Sequence, residues 1–82
     1  MKESDFVKKI NINSEYITLG QFIKFANITS SGGMVKAILN KNIIYVNDVL
    51  ESRRGKKLYP GDKVLIKEIG IYRIAINANK KT

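Results

Sequence analysis

The sequence predicts a single α+β domain in which two short helices pack on a small, mostly antiparallel sheet. Apolar residues recur at helical spacing in 19–26 and 35–39, and at strand spacing in 6–12, 64–66 and 72–76. Turn-forming pairs, Asn47-Asp48 and Pro60-Gly61, punctuate the second half. With 82 residues, 44% of them hydrophobic, one core forms without disulfides or a metal.

The chain opens on an alternating segment. Phe6, Ile10 and Ile12 fall on alternate positions, with Lys9 and Asn11 between the last two, which predicts a half-buried strand over 6–12. Thr18 then suits a helix N-cap, Gln21 stands where a capping box places its return partner, and Ile17 and Phe22 have hydrophobic-staple spacing. Leu19, Phe22, Ile23 and Ala26 share one helix face, while Gln21 and Lys24 point elsewhere. Phe22 and Phe25 are core candidates by the same spacing, and Asn27 suits the left-handed residue after the helix.

The second helix follows in "SSGGMVKAILN", with Ser30 or Ser31 as its cap and Val35, Ile38 and Leu39 as its apolar stripe. Lys36 lies off that stripe. "NIIYVNDVL" predicts a tight hairpin, because Asn47 and Asp48 tolerate positive φ, although Asp suits the second turn position less well than Gly. Tyr45 reads as core and Tyr59 as open to either role. "YPGD" predicts a turn through Pro60 and Gly61, "KVLIK" a strand with Val64 and Ile66 inward, and "IYRIAI" a last strand with Tyr72, Ile74 and Ile76 on one face. Residues 77–82 read as a basic tail.

Composition narrows the function. The chain has no Cys and no His, which removes thiolate chemistry, ordinary zinc sites and the imidazole base of most hydrolytic triads. Glu15, Asp48, Glu51, Asp62 and Glu68 are scattered among basic or turn residues, without a visible acid/base pair. A catalytic role and a cofactor are therefore not expected. No apolar run reaches membrane-span length, and "MKESDFVKK" has charges where a signal peptide needs an apolar stretch. These features read as a soluble, cytoplasmic protein.

The charge balance points to a polyanion: 15 Lys and Arg against 7 Asp and Glu leave a net charge of +8. The positive charge is densest in "RRGKK", where Arg53, Arg54, Lys56 and Lys57 flank a bend expected at Gly55. Ser30, Ser31, Gly32 and Gly33 form a second candidate, a helix start whose backbone N–H groups a phosphate can approach closely, with Lys36 about one turn on. Each has a plainer reading: Gly32-Gly33 as a bend between helices, and the basic run as a solvated loop.

Taken in order, Thr18 to Ala26, Ser31-Gly32, Lys36, Ile43 to Val46, Val46-Asn47-Asp48 and Gly61-Asp62 resemble the pattern of the S4 domain over residues 16–67. The likeness is to small stand-alone bacterial S4 proteins, with no room for a fused enzyme. Two positions depart from the pattern: Gly32 stands where many relatives have Arg, and Asp48 where the hairpin has Gly. The resemblance implies the S4-like (alpha-L) fold, over residues 1–82 as one unit. It implies binding of structured RNA, most readily ribosomal RNA or a ribosomal subunit, with a role in ribosome assembly or translation. It favours Ser30, Ser31, Gly32, Gly33, Lys36, Arg53, Arg54, Lys56 and Lys57 as RNA contacts. A basic adaptor for an acidic protein and a DNA-binding protein are the competing expectations.

Overall fold

The structure, a computed structural model, describes residues 7–29 and 32–77. Phe6, the expected caps Ser30 and Ser31, and the tail beyond Asn77 lie outside these residues. The elements are β1 (Val7–Ile12), β2 (Ile17–Thr18), α1 (Leu19–Phe25), α2 (Gly32–Leu39), β3 (Ile44–Val46), β4 (Val49–Leu50), β5 (Lys57–Leu58), β6 (Lys63–Ile66) and β7 (Gly70–Ile76).

Local signals act as their chemistry dictates. The Thr18 hydroxyl accepts from the Gln21 N–H at 3.3 Å, and the Gln21 side-chain oxygen accepts from the Thr18 N–H at 3.0 Å, closing the capping box. At the other end Asn27 takes φ 62, the Asn27 N–H donates to the Lys24 carbonyl, and the Ile28 N–H donates to that of Ile23. This is a Schellman ending, and Ile28 packs back on the core. Asn47 and Asp48 take φ 50 and 72 between β3 and β4, the paired positive values of a type I′ turn. Gly61 has φ 100 in the turn that the Asp62 N–H closes on the Tyr59 carbonyl at 2.9 Å.

The sheet order is β1-β7-β6-β3-β4, antiparallel throughout except that β1 runs parallel to β7. A separate antiparallel ribbon joins β2 to β5. The parallel pair is the chain's most distant pairing, linking the first strand to the last, and both helices fall within the crossover. Leu19, Phe22 and Ile23 of α1 and Val35, Ile38 and Leu39 of α2 are buried with Ile12, Ile44, Val64, Ile66, Tyr72 and Ile74 of the sheet. Phe22 meets Tyr72 edge-on at 5.3 Å between ring centroids.

Two apolar side chains depart from their expected places, and a third keeps its expected face without cover. Ile76, the last residue of β7, is 61% exposed, because alternation fixes the face a side chain takes but not whether anything covers it. Tyr45 is half-buried on the sheet face opposite Ile44 and Val46, with the Lys67 ammonium 5.4 Å from its ring centre. Phe25 is 57% exposed. At about 100° per residue, three steps from Phe22 carry it to the flank of the Leu19, Phe22, Ile23 stripe.

Candidate nucleic-acid interface

The first turn of a helix has backbone N–H groups with no partner inside the helix. In α1 the basic loop supplies acceptors for two of them. The Leu19 N–H donates to the Lys56 carbonyl at 2.8 Å, and the Gly20 N–H donates to the Arg54 carbonyl at 2.9 Å. With Gln21 capped by Thr18, each of the first three residues of α1 donates to a named acceptor. The loop is thus clamped on the helix rather than hanging as an arm. Its exit is held as well, because Thr18 and Ile17 pair with Lys57 and Leu58 in the β2–β5 ribbon.

Gly20 makes that approach possible. It is buried inside the first turn, and a Cβ there would come within 3.0 Å of the Arg54 Cγ and 3.4 Å of the Arg54 carbonyl oxygen. A glycine in a helix has a propensity cost, and here close passage of the loop is the return. Gly55, expected to provide the bend, has no positive φ, and a Cβ on it would meet nothing within 4 Å. The chain does bend there, with Arg54 and Gly55 at the centre of the turn closed by the Lys56 N–H on the Arg53 carbonyl at 3.2 Å, but the turn does not call on glycine's conformational freedom.

The four cations are not equivalent. The Glu51 carboxylate accepts from the Arg53 backbone N–H at 2.9 Å, from Nε at 2.9 Å and from Nη2 at 3.1 Å. Glu51 is only 8% exposed, and its own N–H donates to the Ile44 carbonyl. The Arg53 side-chain hydrogen bonds hold the Glu51 carboxyl down to about 2 from its ordinary 4.5. Burial opposes this, and the Arg53 backbone N–H and the Arg53 and Lys56 charges assist. The Arg53 guanidinium is held above its usual value by the same hydrogen bonds. Arg53 therefore braces the loop, leaving Arg54 and Lys57 exposed and Lys56 half-buried. The Lys57 ammonium lies 4.9 Å from the Tyr16 ring centre, and Tyr16 meets the exposed Tyr59 at 5.7 Å.

The second patch is on α2, which packs beside α1. Gly32 and Gly33 begin the helix and are exposed, and Lys36 is exposed in its last turn, off the buried Val35, Ile38, Leu39 stripe. Neither helix has an acidic residue in its first turn, so no carboxylate there offsets the positive end of either helix dipole. Thus α1 links the two groups: the loop docks on its first turn and α2 packs beside it. Sequence reasoning missed Gly20, Glu51 and Tyr16. A glycine inside a helical pattern was the available signal for the first, and a carboxylate two residues before an arginine for the second. Among the described residues there is no group of three or more His, Cys, Asp or Glu that could hold a metal ion, and no helix long and apolar enough to cross a membrane.

Comparison with known proteins agrees with the α+β fold. A family model described as "S4 domain" matches residues 10–75. The chain is also 48% identical over 65 residues to the "Probable ribosome maturation protein RlbA" of Bacillus subtilis (strain 168), an alignment covering 79% of this chain and 92% of the relative.

Proposed function

The chain belongs to the S4 domain family, and from that premise we propose that it is a non-enzymatic protein that grips structured ribosomal RNA during ribosome maturation. The observation that carries the reading is the docking of the basic loop on α1 through the Lys56 and Arg54 carbonyls. Phosphates are bound best by cations whose backbone is already fixed, because less chain entropy is lost on contact. Arg54, Lys56 and Lys57 are presented in this way, and Lys36 with the Gly32-Gly33 backbone adds a second phosphate contact on the neighbouring helix. Arg53 offers the part of its guanidinium that Glu51 does not engage.

Contacts of this kind read backbone shape and charge rather than base sequence. The reading places the protein in the cytoplasm with an assembling ribosomal subunit as partner, in keeping with the name of the Bacillus relative. Titrating one sample with folded RNA, duplex DNA and an acidic protein tests it. Tightest binding to folded RNA, with a log–log salt slope of about −3 to −5 for four to six phosphates neutralised, is the expected result. Preference for DNA or for the acidic protein would overturn it.

A further inference from the structure

The β2–β5 ribbon pairs Ile17 with Leu58, and the same register places Tyr16 opposite Tyr59 at its end. Tyr16 and Phe25 then line an open groove of about 450 Å³ with Ser14, Ile17, Gln21 and Lys24. The groove is shallow and open, which suits a flat ring laid on its surface. We propose that this groove binds one unpaired RNA base, an inference that rests on the RNA-binding reading and adds a base-recognition subsite to it.

An unpaired base has an apolar π-face, a polar edge and a phosphate on either side, and the groove has a group for each. Phe25, 57% exposed, provides the ring surface for the face, and the half-buried Tyr16 lines the groove beside it. The Gln21 side-chain oxygen is taken by the Thr18 N–H, so its amide nitrogen remains to donate to a carbonyl or ring nitrogen on the base edge. Lys24 is exposed beside Phe25, and the Lys57 ammonium stands 4.9 Å from the Tyr16 ring centre, giving cations for the flanking phosphates. Lys57 also belongs to the clamped loop, so the groove continues the phosphate-binding surface. A base stacked inside a duplex cannot present its face to these rings. The groove therefore selects bulges, loops and strand ends within structured RNA.

The test uses two RNA hairpins, one fully paired and one carrying a single unpaired fluorescent adenine analogue. The intact protein is expected to bind the bulged hairpin about fivefold to a hundredfold more tightly and to quench its fluorescence, as stacking on one aromatic platform would. Phe25→Ala should abolish the preference and the quenching while leaving affinity and salt slope for the paired hairpin unchanged, and Phe25→Trp should restore both. Because Phe25 is exposed, thermal melting should be unaltered by either substitution. Equal binding of the two hairpins by the intact protein, or a preference that survives Phe25→Ala, would overturn the groove while leaving RNA binding in place. Binding of neither hairpin would overturn the RNA reading itself.

Discussion

The Asn47 side-chain amide donates to the Asp62 carboxylate at 3.1 Å across fifteen positions of sequence, tying the β3–β4 turn to the turn before β6. The same carboxylate accepts from the Tyr59 N–H at 2.8 Å, and the Asn47 oxygen accepts from the Lys63 N–H at 3.0 Å. Asp62→Ala removes two of these bonds and should lower the unfolding free energy by about 1–3 kcal/mol, as charge-assisted hydrogen bonds of partial exposure do. Chemical denaturation measures it, and an unchanged midpoint would show that the turns hold without the link.

The neighbouring Asp48 carries a cost. At φ 72 it occupies a position that glycine fills without strain, while its ion pair with Lys63 at 3.3 Å is exposed on the Asp48 side and half-buried on the Lys63 side. Relief of strain should outweigh loss of a pair whose carboxylate is in solvent, so Asp48→Gly is expected to stabilise the fold by up to about 1 kcal/mol. A fall in the melting temperature would mean that the ion pair wins.

Glu51 gives the fold an acid-sensitive element. Its folded-state carboxyl titrates near 2, below the ordinary 4.5, so its contribution is complete above about pH 4.5 and drains away as pH falls toward 2. Glu51→Gln should cost about 1–3 kcal/mol at neutral pH, since it weakens the interactions of a buried group. It should also flatten the loss of stability in that acid window. Identical acid-unfolding curves for the two proteins would remove Glu51 from the explanation.

Leu39 and Lys36 separate packing from binding on one helix. Leu39 is buried, and Leu39→Ala should cost about 2–5 kcal/mol. Lys36 is exposed, and Lys36→Glu should keep the melting temperature while weakening RNA binding. Unfolding by Lys36→Glu would reverse the assignment of the α2 faces.

What was legible in the sequence was local. Thr18 and Gln21 are three residues apart, and Asn47 and Asp48 are adjacent, so their chemistry is complete within a few residues, and the capping box and the type I′ turn formed as read. The apolar stripes of both helices were equally plain, because burial of Leu19, Phe22, Ile23, Val35, Ile38 and Leu39 follows from spacing. Pairings between distant segments were not legible. Nothing near Val7 announces β7 as its parallel partner, and the two-residue ribbon of β2 and β5 is too short to show a period. For the interface, the basic loop was visible as composition, but its clamping by Leu19 and Gly20 depends on hydrogen bonds across some 35 positions of sequence. Spacing alone points Phe25 to the core, because it identifies a helix face only to within its flank, and that flank is where the groove opens.

The loop's role as a positioned RNA-binding element is tested most directly by replacing Arg54, Lys56 and Lys57 with Ser and measuring affinity for folded RNA across a salt series. Arg53 is kept, because removing it would strand the buried Glu51 carboxylate. A second protein has the same replacement with three lysines added at its C-terminal end, restoring net charge without restoring position. Position-dependent binding predicts a weakening well beyond that of any single replacement, a salt slope flatter by about 0.7–0.9 for each phosphate no longer neutralised, and little recovery from the added lysines. Full recovery by the added lysines would show that only net charge matters and that the clamped loop is not a site.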